Sequence, residues 1–402
     1  MNAIFLGFYI NNYAELLKDD RFPQVQTYKF AEKIAKSIAL INELEVTYVS
    51  SRPVSEYPSY KFLVAPRVDF FKLSNRIFHS YEMPFINKGV LKIISRFIFS
   101  LIYCFCLFVK ISYNDKKEKI FFVYSVHLPY LMTASIINTF FKVKVVGIWT
   151  DPPAEILEGD GFLKRKIRII EFKLCKFFMK KFKKTIVLTK QLAHDFSPNA
   201  DFLVLEGFSE INVNKYISVK KNNDEKEFLK IVYTGTLAKK YGVENLVSGF
   251  LLANLNGVIL EIYGVGDYQE ELFKISKSNP SIKIMGFVKP SFIPQIQASA
   301  DFLINSRSAN EGFAKYSFPS KIIEYFESGV PVISTMLPGM PEEYADCMVK
   351  MISNDPKDIA YAIKSAVNMS VDERAKIAKA AFNLVSKKSI HSQSERIRNF
   401  LI

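Results

Sequence analysis

SFPSKIIEYFESGVPVIST, residues 317–335, is the stretch from which the fold can be read. Ser320–Ser328 reads as a helix, and Pro331–Ser334 reads as the strand that follows it. With a strand at Phe302–Asn305 upstream, the order strand, helix, strand is that of a βαβ unit. Ser320 is placed to cap the helix, and Lys321 falls in its first turn. A helix amino terminus offers N–H groups and the positive end of a dipole, which suits phosphate, and Lys321 adds a cation. Glu324 lies a turn further along, close to the same face. A carboxylate there can accept both hydroxyls of a ribose, which Asn or Leu cannot do. An amphipathic helix with a surface Lys–Glu pair would show the same residues.

Working outward, Lys230–Thr234, Val258–Tyr263 and Ile282–Met285 read as further strands. Glu244–Leu255, Asp267–Ser278 and Phe292–Ala298 read as the helices between them, and the tail from Pro356 reads as mostly helical. Before a polar, charged stretch at Ser209–Lys230 lies a second alternating set. It comprises strands at Ala3–Tyr9, Val46–Ser50, Ile120–Tyr124, Val143–Ile148 and Thr185–Thr189, with a helix at Val25–Leu40. Runs this continuously apolar suit parallel strands buried on both faces. The expectation is an α/β chain of two Rossmann-like, doubly wound domains, 1–208 and 209–402, with the last helix packing back on the first.

A chain of 402 residues, nearly half hydrophobic and with ordinary charge density, can bury two cores. Cys104, Cys106, Cys175 and Cys347 form no CxxC pair and read as reduced thiols of a cytosolic protein. The amino terminus, MNAIFLGFYI, has no cationic segment before its apolar run and reads as a buried strand. Phe97–Val109 is strongly apolar, but thirteen helical residues rise only about 20 Å, so a buried or interfacial helix is expected over a spanning one. Of the net charge of +14, residues 1–208 carry +11. Residues 161–190 hold eleven basic side chains and one acidic, with Leu163, Ile167, Ile170, Leu174, Phe178 and Phe182 at near-helical spacing. Such a helix suits an anionic membrane surface; a core-facing helix with a solvated basic face fits the same pattern. No nucleic-acid-binding motif accompanies the charge, and no nucleic-acid partner is expected.

Two more strand-to-helix turns carry ligand chemistry. In YTGTLAKKYG, Gly235 follows a strand and Lys239 or Lys240 can reach an anion. In IYGVGDY, Gly264 and Gly266 open a helix with Asp267 near its cap, although the full GxGxxG fingerprint is absent.

Taken in order, these segments resemble the C-terminal domain of the retaining glycosyltransferases of GT-B fold, commonly numbered family 4. The shared features are Gly235 with Lys239 or Lys240, Gly264 and Gly266, Gly286 with Phe287, and Glu324 ahead of Ser328-Gly329-Val330-Pro331-Val332. The resemblance implies two Rossmann-like domains facing across a cleft, with the nucleotide-sugar donor on the C-terminal one. It implies that lysine neutralises the donor diphosphate, that Glu324 holds the ribose and that Gly286 and Phe287 border the base. Ser317, Pro319 and Ser320 would meet donor phosphate and sugar. In the N-terminal half His127, in SVHLPY, matches a family His facing the donor sugar, and Asp151, in IWTDPP, lies near the expected cleft.

Three departures stand out. The first acid of the family's Glu-x7-Glu motif is here Tyr316, with Glu311 thirteen residues before Glu324 as a candidate replacement, and the common Arg of the first turn is Thr236. The early Gly-Gly acceptor loop is replaced by Asn11, Asn12 and Tyr13. The resemblance implies sugar transfer with retention, with no agreed protein nucleophile. No His or Cys cluster has ligand spacing, so neither metal nor other cofactor is implied. The expected acceptor is a saccharide, on a lipid carrier in cell-surface polysaccharide, capsule or lipopolysaccharide synthesis, at the inner face of the cell membrane. The rival readings are a non-catalytic sugar-nucleotide-binding subunit and a sugar-nucleotide epimerase on the same fold.

Overall fold

The computed structural model describes residues 1–9, 18–23, 25–65, 68–73, 76–114, 118–153, 161–210, 228–310 and 312–402. The chain forms two compact units, Met1–Glu206 with Ile390–Ile402, and Gly207–Ser389. Most of the charged stretch read as the linker lies outside the described residues, as do Asn11, Asn12, Tyr13 and Glu311.

Among the described residues ten strands belong to the first unit: β1 (Asn2–Gly7), β2 (Glu45–Ser50), β3 (Val64–Ala65), β4 (Val68–Leu73), β5 (Arg76–Glu82), β6 (Phe85–Ile86), β7 (Lys119–Tyr124), β8 (Lys144–Trp149), β9 (Lys184–Val187) and β10 (Asp201–Val204). Eight form one sheet in the order β10-β9-β8-β7-β1-β2-β5-β4, and β3 pairs with β6. Every neighbour in the large sheet is parallel except β4 and β5, which form an antiparallel hairpin at its edge. The central strands are buried over most of their length; Phe5 of β1 stands level with Tyr48 and Phe122. Among the described residues the helices of this unit up to β10 include α1 (Val25–Ala39), α2 (Gly89–Asn114), α3 (Leu128–Phe141), α4 (Phe162–Met179) and α5 (Lys190–Phe196). From β1 the chain winds one way to β2 through α1, and the other way through β7, β8 and β9 by way of α3 and α4. Right-handed crossovers therefore put α1 on one face and α2, α3 and α4 on the other. The apolar run Phe97–Val109 is part of a longer helix than expected, α2, with 26 residues.

Among its described residues the second unit has six parallel strands, β11 (Leu229–Thr234), β12 (Val258–Tyr263), β13 (Ile282–Gly286), β14 (Phe302–Asn305), β15 (Val332–Thr335) and β16 (Val349–Met351), ordered β13-β12-β11-β14-β15-β16. Its helices are α6 (Val243–Ala253), α7 (Gln269–Ser278), α8 (Ile293–Ala298), α9 (Ser320–Glu327), α10 (Pro356–Val367) and α11 (Val371–Ser386). Winding reverses between β11 and β14, which is where ligands gather in open parallel sheets. Ile231, Leu260, Ile262, Ile304 and Ile333 form the centre of its core. The final helix, α12 (Ile390–Leu401), belongs to the first unit, where Ser37 Oγ of α1 donates to the Ile390 carbonyl and Arg396 to that of Val204. One cap differs from the sequence reading: Pro319, not Ser320, is the N-cap of α9. Asp267 lies next to Tyr268, the N-cap of α7, and neither N-cap residue makes a side-chain cap bond.

Candidate functional site

In the second unit the turns after β11, β12 and β13 are stitched together by backbone. Gly235 N–H donates to the Tyr263 carbonyl and Gly264 N–H to that of Gly286, each at 2.8 Å. Gly264 has φ of +141°, and a Cβ there would stand 1.7 Å from the Gly235 carbonyl oxygen, so only glycine fits. Gly266 is equally confined, by the Leu237 carbonyl at 2.1 Å from its virtual Cβ.

Over this glycine floor lies Lys321. Its Nζ is 3.3 Å from the Tyr233 hydroxyl and 4.7 Å from the Tyr233 ring centroid. A Cβ on Gly235, whose φ is +152°, would meet that nitrogen at 1.6 Å. Burial lowers the Lys321 pKa to about 8; Glu324 partly offsets this, and the positive charge of Arg307 lowers it further. The α9 amino end therefore brings together a partly desolvated cation, a glycine turn and, one turn on, an exposed carboxylate at Glu324.

What sets α9 in place is Tyr325. It is fully buried, and its hydroxyl accepts from Thr234 N–H at 3.0 Å and donates to the Thr234 carbonyl at 3.2 Å, at the end of β11. Gln297 Nε2 of α8 donates to Thr234 Oγ1 at 3.2 Å. Ring contacts of Phe318 and Phe326 with Tyr344 hold the rest of the segment. Sequence reading passed over Tyr325 because a tyrosine in an apolar helical run looks like core. It also passed over Arg307, which follows β14 with its guanidinium 5.2 Å from the Phe313 ring and 6.0 Å from that of Tyr241.

The other expected donor-side residues take these places. Lys239 is exposed and paired with Glu244 at 2.9 Å, its ammonium 5.0 Å from the Tyr268 ring, and Lys240 is exposed beside the Tyr241 ring. Thr236 is exposed, and its carbonyl accepts from the Tyr233 hydroxyl at 3.1 Å. Gly286 has φ of +72° and open space where a Cβ would stand; Phe287 beside it is 70 % exposed. Ser317 Oγ is enclosed and has no hydrogen-bond partner among the described residues. Tyr316 ends a short 3-10 turn with the Lys315 ammonium 4.7 Å from its ring.

A separate constellation lies in the first unit. His127 is the N-cap residue of α3, directly after β7, with its ring against Phe8 and Tyr130. Its Nε2 is enclosed and finds no hydrogen-bond partner among the described residues. Burial, then Arg96 and Lys92, hold its pKa well below the ordinary histidine value, so the imidazole is neutral. Lys92 is itself lowered to about 7 by burial and by Arg96. Asp151 follows β8 and accepts from Thr150 Oγ1 at 2.8 Å. Although its residue is exposed by surface area, the protein packed around the carboxyl raises its pKa, and the Thr150 bond only partly offsets this.

Residues 229–369 match the family described as Glycosyl transferases group 1. No curated protein matches the chain. Among solved structures, HepE of Anabaena in complex with UDP is similar over 100 % of this chain and 99 % of its own, at 15 % identity and a TM-score of 0.63. An Escherichia coli structure described as trehalose-6-phosphate bound with UDP-2-fluoro glucose has 10 % identity, the same coverage and a TM-score of 0.63. Sucrose-phosphate synthase of Thermosynechococcus elongatus has 12 % identity, again with 100 % and 99 % covered, and a TM-score of 0.62. The fold is thus the two-domain, Rossmann-like GT-B fold, and residues 229–369 are similar to the Glycosyl transferases group 1 family.

Proposed function

We propose that this protein transfers a sugar, with retention of anomeric configuration as in family 4, from a nucleoside-diphosphate sugar to a hydroxyl of a lipid-linked saccharide. The observation that carries the proposal is Lys321 over Gly235, with Glu324 one turn along α9. In this reading Lys321 and the amino end of α9 take the diphosphate, whose charge grows as the nucleotide leaves. Arg307 supplies the second cation that Thr236 withholds. Its repulsion of Lys321 turns to joint attraction once a polyanion lies between them. Glu324 holds the ribose hydroxyls, and Ser317 Oγ, which has no partner among the described residues, gains one. His127, neutral, and Asp151 are the first unit's candidates for roles toward sugar and acceptor, as the family resemblance implies, and the leaving diphosphate assists the acceptor hydroxyl. The role proposed for the reaction is extension of a cell-surface polysaccharide at the cytoplasmic face of the membrane.

HepE and the Escherichia coli protein were solved with UDP or a UDP-sugar, so UDP heads the test panel. Melting temperature is measured with UDP, GDP, ADP, CMP and dTDP for the wild type and for Glu324→Ala. A ligand that binds only the folded state raises it by an amount set by its affinity. One nucleotide should stabilise the wild type and lose its effect in the variant; no response to any of them would remove the donor-site reading. Tyr316, standing where the family has an acid, favours a second reading, a binding subunit without transfer. Nucleotide binding with no release of nucleoside diphosphate from any donor in the presence of membrane lipid extract would support it.

A further inference from the structure

The sugar-transfer reading leaves unused a helix whose outward side is apolar. On one side of α2 Ser95, Arg96, Ser100, Cys104 and Phe108 are buried. Ser100 Oγ lies 2.7 Å from Thr133 Oγ1 of α3, and Arg96 donates to the Arg52 carbonyl at 2.6 Å, so this side is fixed to the unit. The other side presents Leu91, Ile94, Ile98, Ile102, Phe105 and Val109, each between 38 % and 51 % exposed and three to four residues apart. At 1.5 Å per residue that stripe is roughly 27 Å long. No charged residue occurs from Phe97 to Val109. Single exposed apolar residues are ordinary, but a continuous stripe of them is not.

The stripe continues across the layer. Phe140 of the neighbouring α3 is 68 % exposed with its ring 5.9 Å from that of Phe105. On α4 the residues facing outward are Ile167, Ile170, Leu174 and Phe177, while Cys175 and Met179 are buried. The apolar residues that periodicity alone let face a core thus include three, Ile167, Ile170 and Leu174, that face solvent. Around them stand exposed cations, among them Arg165, Lys166, Lys173 and Lys180.

We propose that the α2–α3–α4 layer seats on an anionic lipid bilayer. The apolar stripes of α2 and α4 lie at the headgroup–acyl boundary, and the α4 cations rest on lipid phosphates. Because one side of α2 is fixed to the unit, the helix lies in the plane of the interface and does not cross it. A second copy of the chain is the poorer occupant, since a twofold contact would set the α4 cations against their own duplicates. The proposal does not rest on the donor-site reading, and its test uses no nucleotide.

The full chain is mixed with vesicles of phosphatidylglycerol and phosphatidylethanolamine, or of phosphatidylcholine alone, and the bound fraction is read after sedimentation. The wild type should bind the anionic vesicles, more weakly as salt rises, and the neutral ones poorly. Ile98→Glu with Ile102→Glu should weaken binding by about tenfold or more, because it puts two charges in the apolar stripe. Lys173→Glu with Lys180→Glu should abolish the preference for anionic lipid. All four sites are exposed, and an unchanged melting temperature would confirm that the variants fold. Equal recovery of the wild type in the supernatant with and without anionic vesicles at moderate salt would overturn the proposal. So would a dimer in sedimentation velocity that Ile98→Glu splits while vesicles go unbound.

Discussion

Lys321 gives the donor site a pH dependence whose sign is fixed by its surroundings. The ligand-free ammonium titrates at about 8 because it is largely desolvated and stands in the field of Arg307. Only the protonated form attracts a diphosphate, and a bound diphosphate raises its pKa again. Affinity for the nucleotide therefore holds below pH 8 and falls as pH rises through that value. With the free pKa at about 8, the dissociation constant should rise about twofold by pH 8 and roughly tenfold by pH 9, relative to pH 7. The stability of the empty protein moves the other way. The unfolded chain keeps this proton up to an ordinary lysine pKa of about 10.4, so between the two values it binds more protons than the native state and stability rises with pH. Titration calorimetry at three pH values, with the nucleoside diphosphate selected by the melting panel, reads the first effect. Lys321→Arg should bind without the alkaline loss, since a guanidinium stays charged throughout. A wild-type affinity that is flat from pH 7 to about 9.5 would refute the assignment of Lys321 to the phosphates.

Three further outcomes follow from particular contacts. Tyr325→Phe leaves the buried Thr234 N–H and carbonyl without their hydroxyl partner and should lower stability by about 1–3 kcal/mol in urea unfolding, with weaker nucleotide binding as α9 loosens. Arg307→Gln should raise the Lys321 pKa, moving the alkaline loss of affinity to higher pH, and yet weaken binding at neutral pH; tighter binding at neutral pH would show that Arg307 opposes the ligand. His127→Ala should leave the nucleotide response intact and reduce transfer by about a hundredfold, in the range of a positioned polar group. Because burial keeps His127 neutral, the wild-type rate should show no titration step near the ordinary histidine pKa, and a step there that His127→Gln removes would contradict that environment.

The longer parallel strands at the centres of the two sheets were legible because they are buried on both faces, where an apolar run fits; the short outer strands β10 and β16, each with a charged residue, were not read. Ile120–Tyr124 is the plainest case, buried at every residue. The β4–β5 hairpin was not legible: Asp69, Lys72 and Arg76 interrupt its aromatic residues, as befits an edge, and break the run that marks a buried strand. Lys321 and Glu324 could be placed from helix periodicity and chain polarity alone. Arg307 could not, since it lies in a loop after β14, where no periodicity says which way a side chain turns. The α4 stripe shows the same limit. Periodicity separates an apolar face from a basic one but does not say which the sheet covers. Among the described side chains of α4, Cys175 and Met179 were the ones buried.

One stretch can announce both fold and candidate site because α9 is a short helix serving two purposes at helical spacing. Ile322, Ile323, Tyr325 and Phe326 are buried and tie it to the sheet, which any βαβ helix requires. Lys321 and Glu324, three residues apart, are left at the opposite edge, above the turn after β11. The tie between Tyr325 and Thr234 joins the two purposes, since it fixes the helix to the very strand whose next residue is Gly235. A shift of α9 along the sheet would therefore break a buried hydrogen bond and carry the ammonium off the glycine turn at the same time. Stability and ligand geometry are coupled at this one contact, and a variant there should lose both together, whereas Glu324→Ala, at an exposed position, should lose only the ligand.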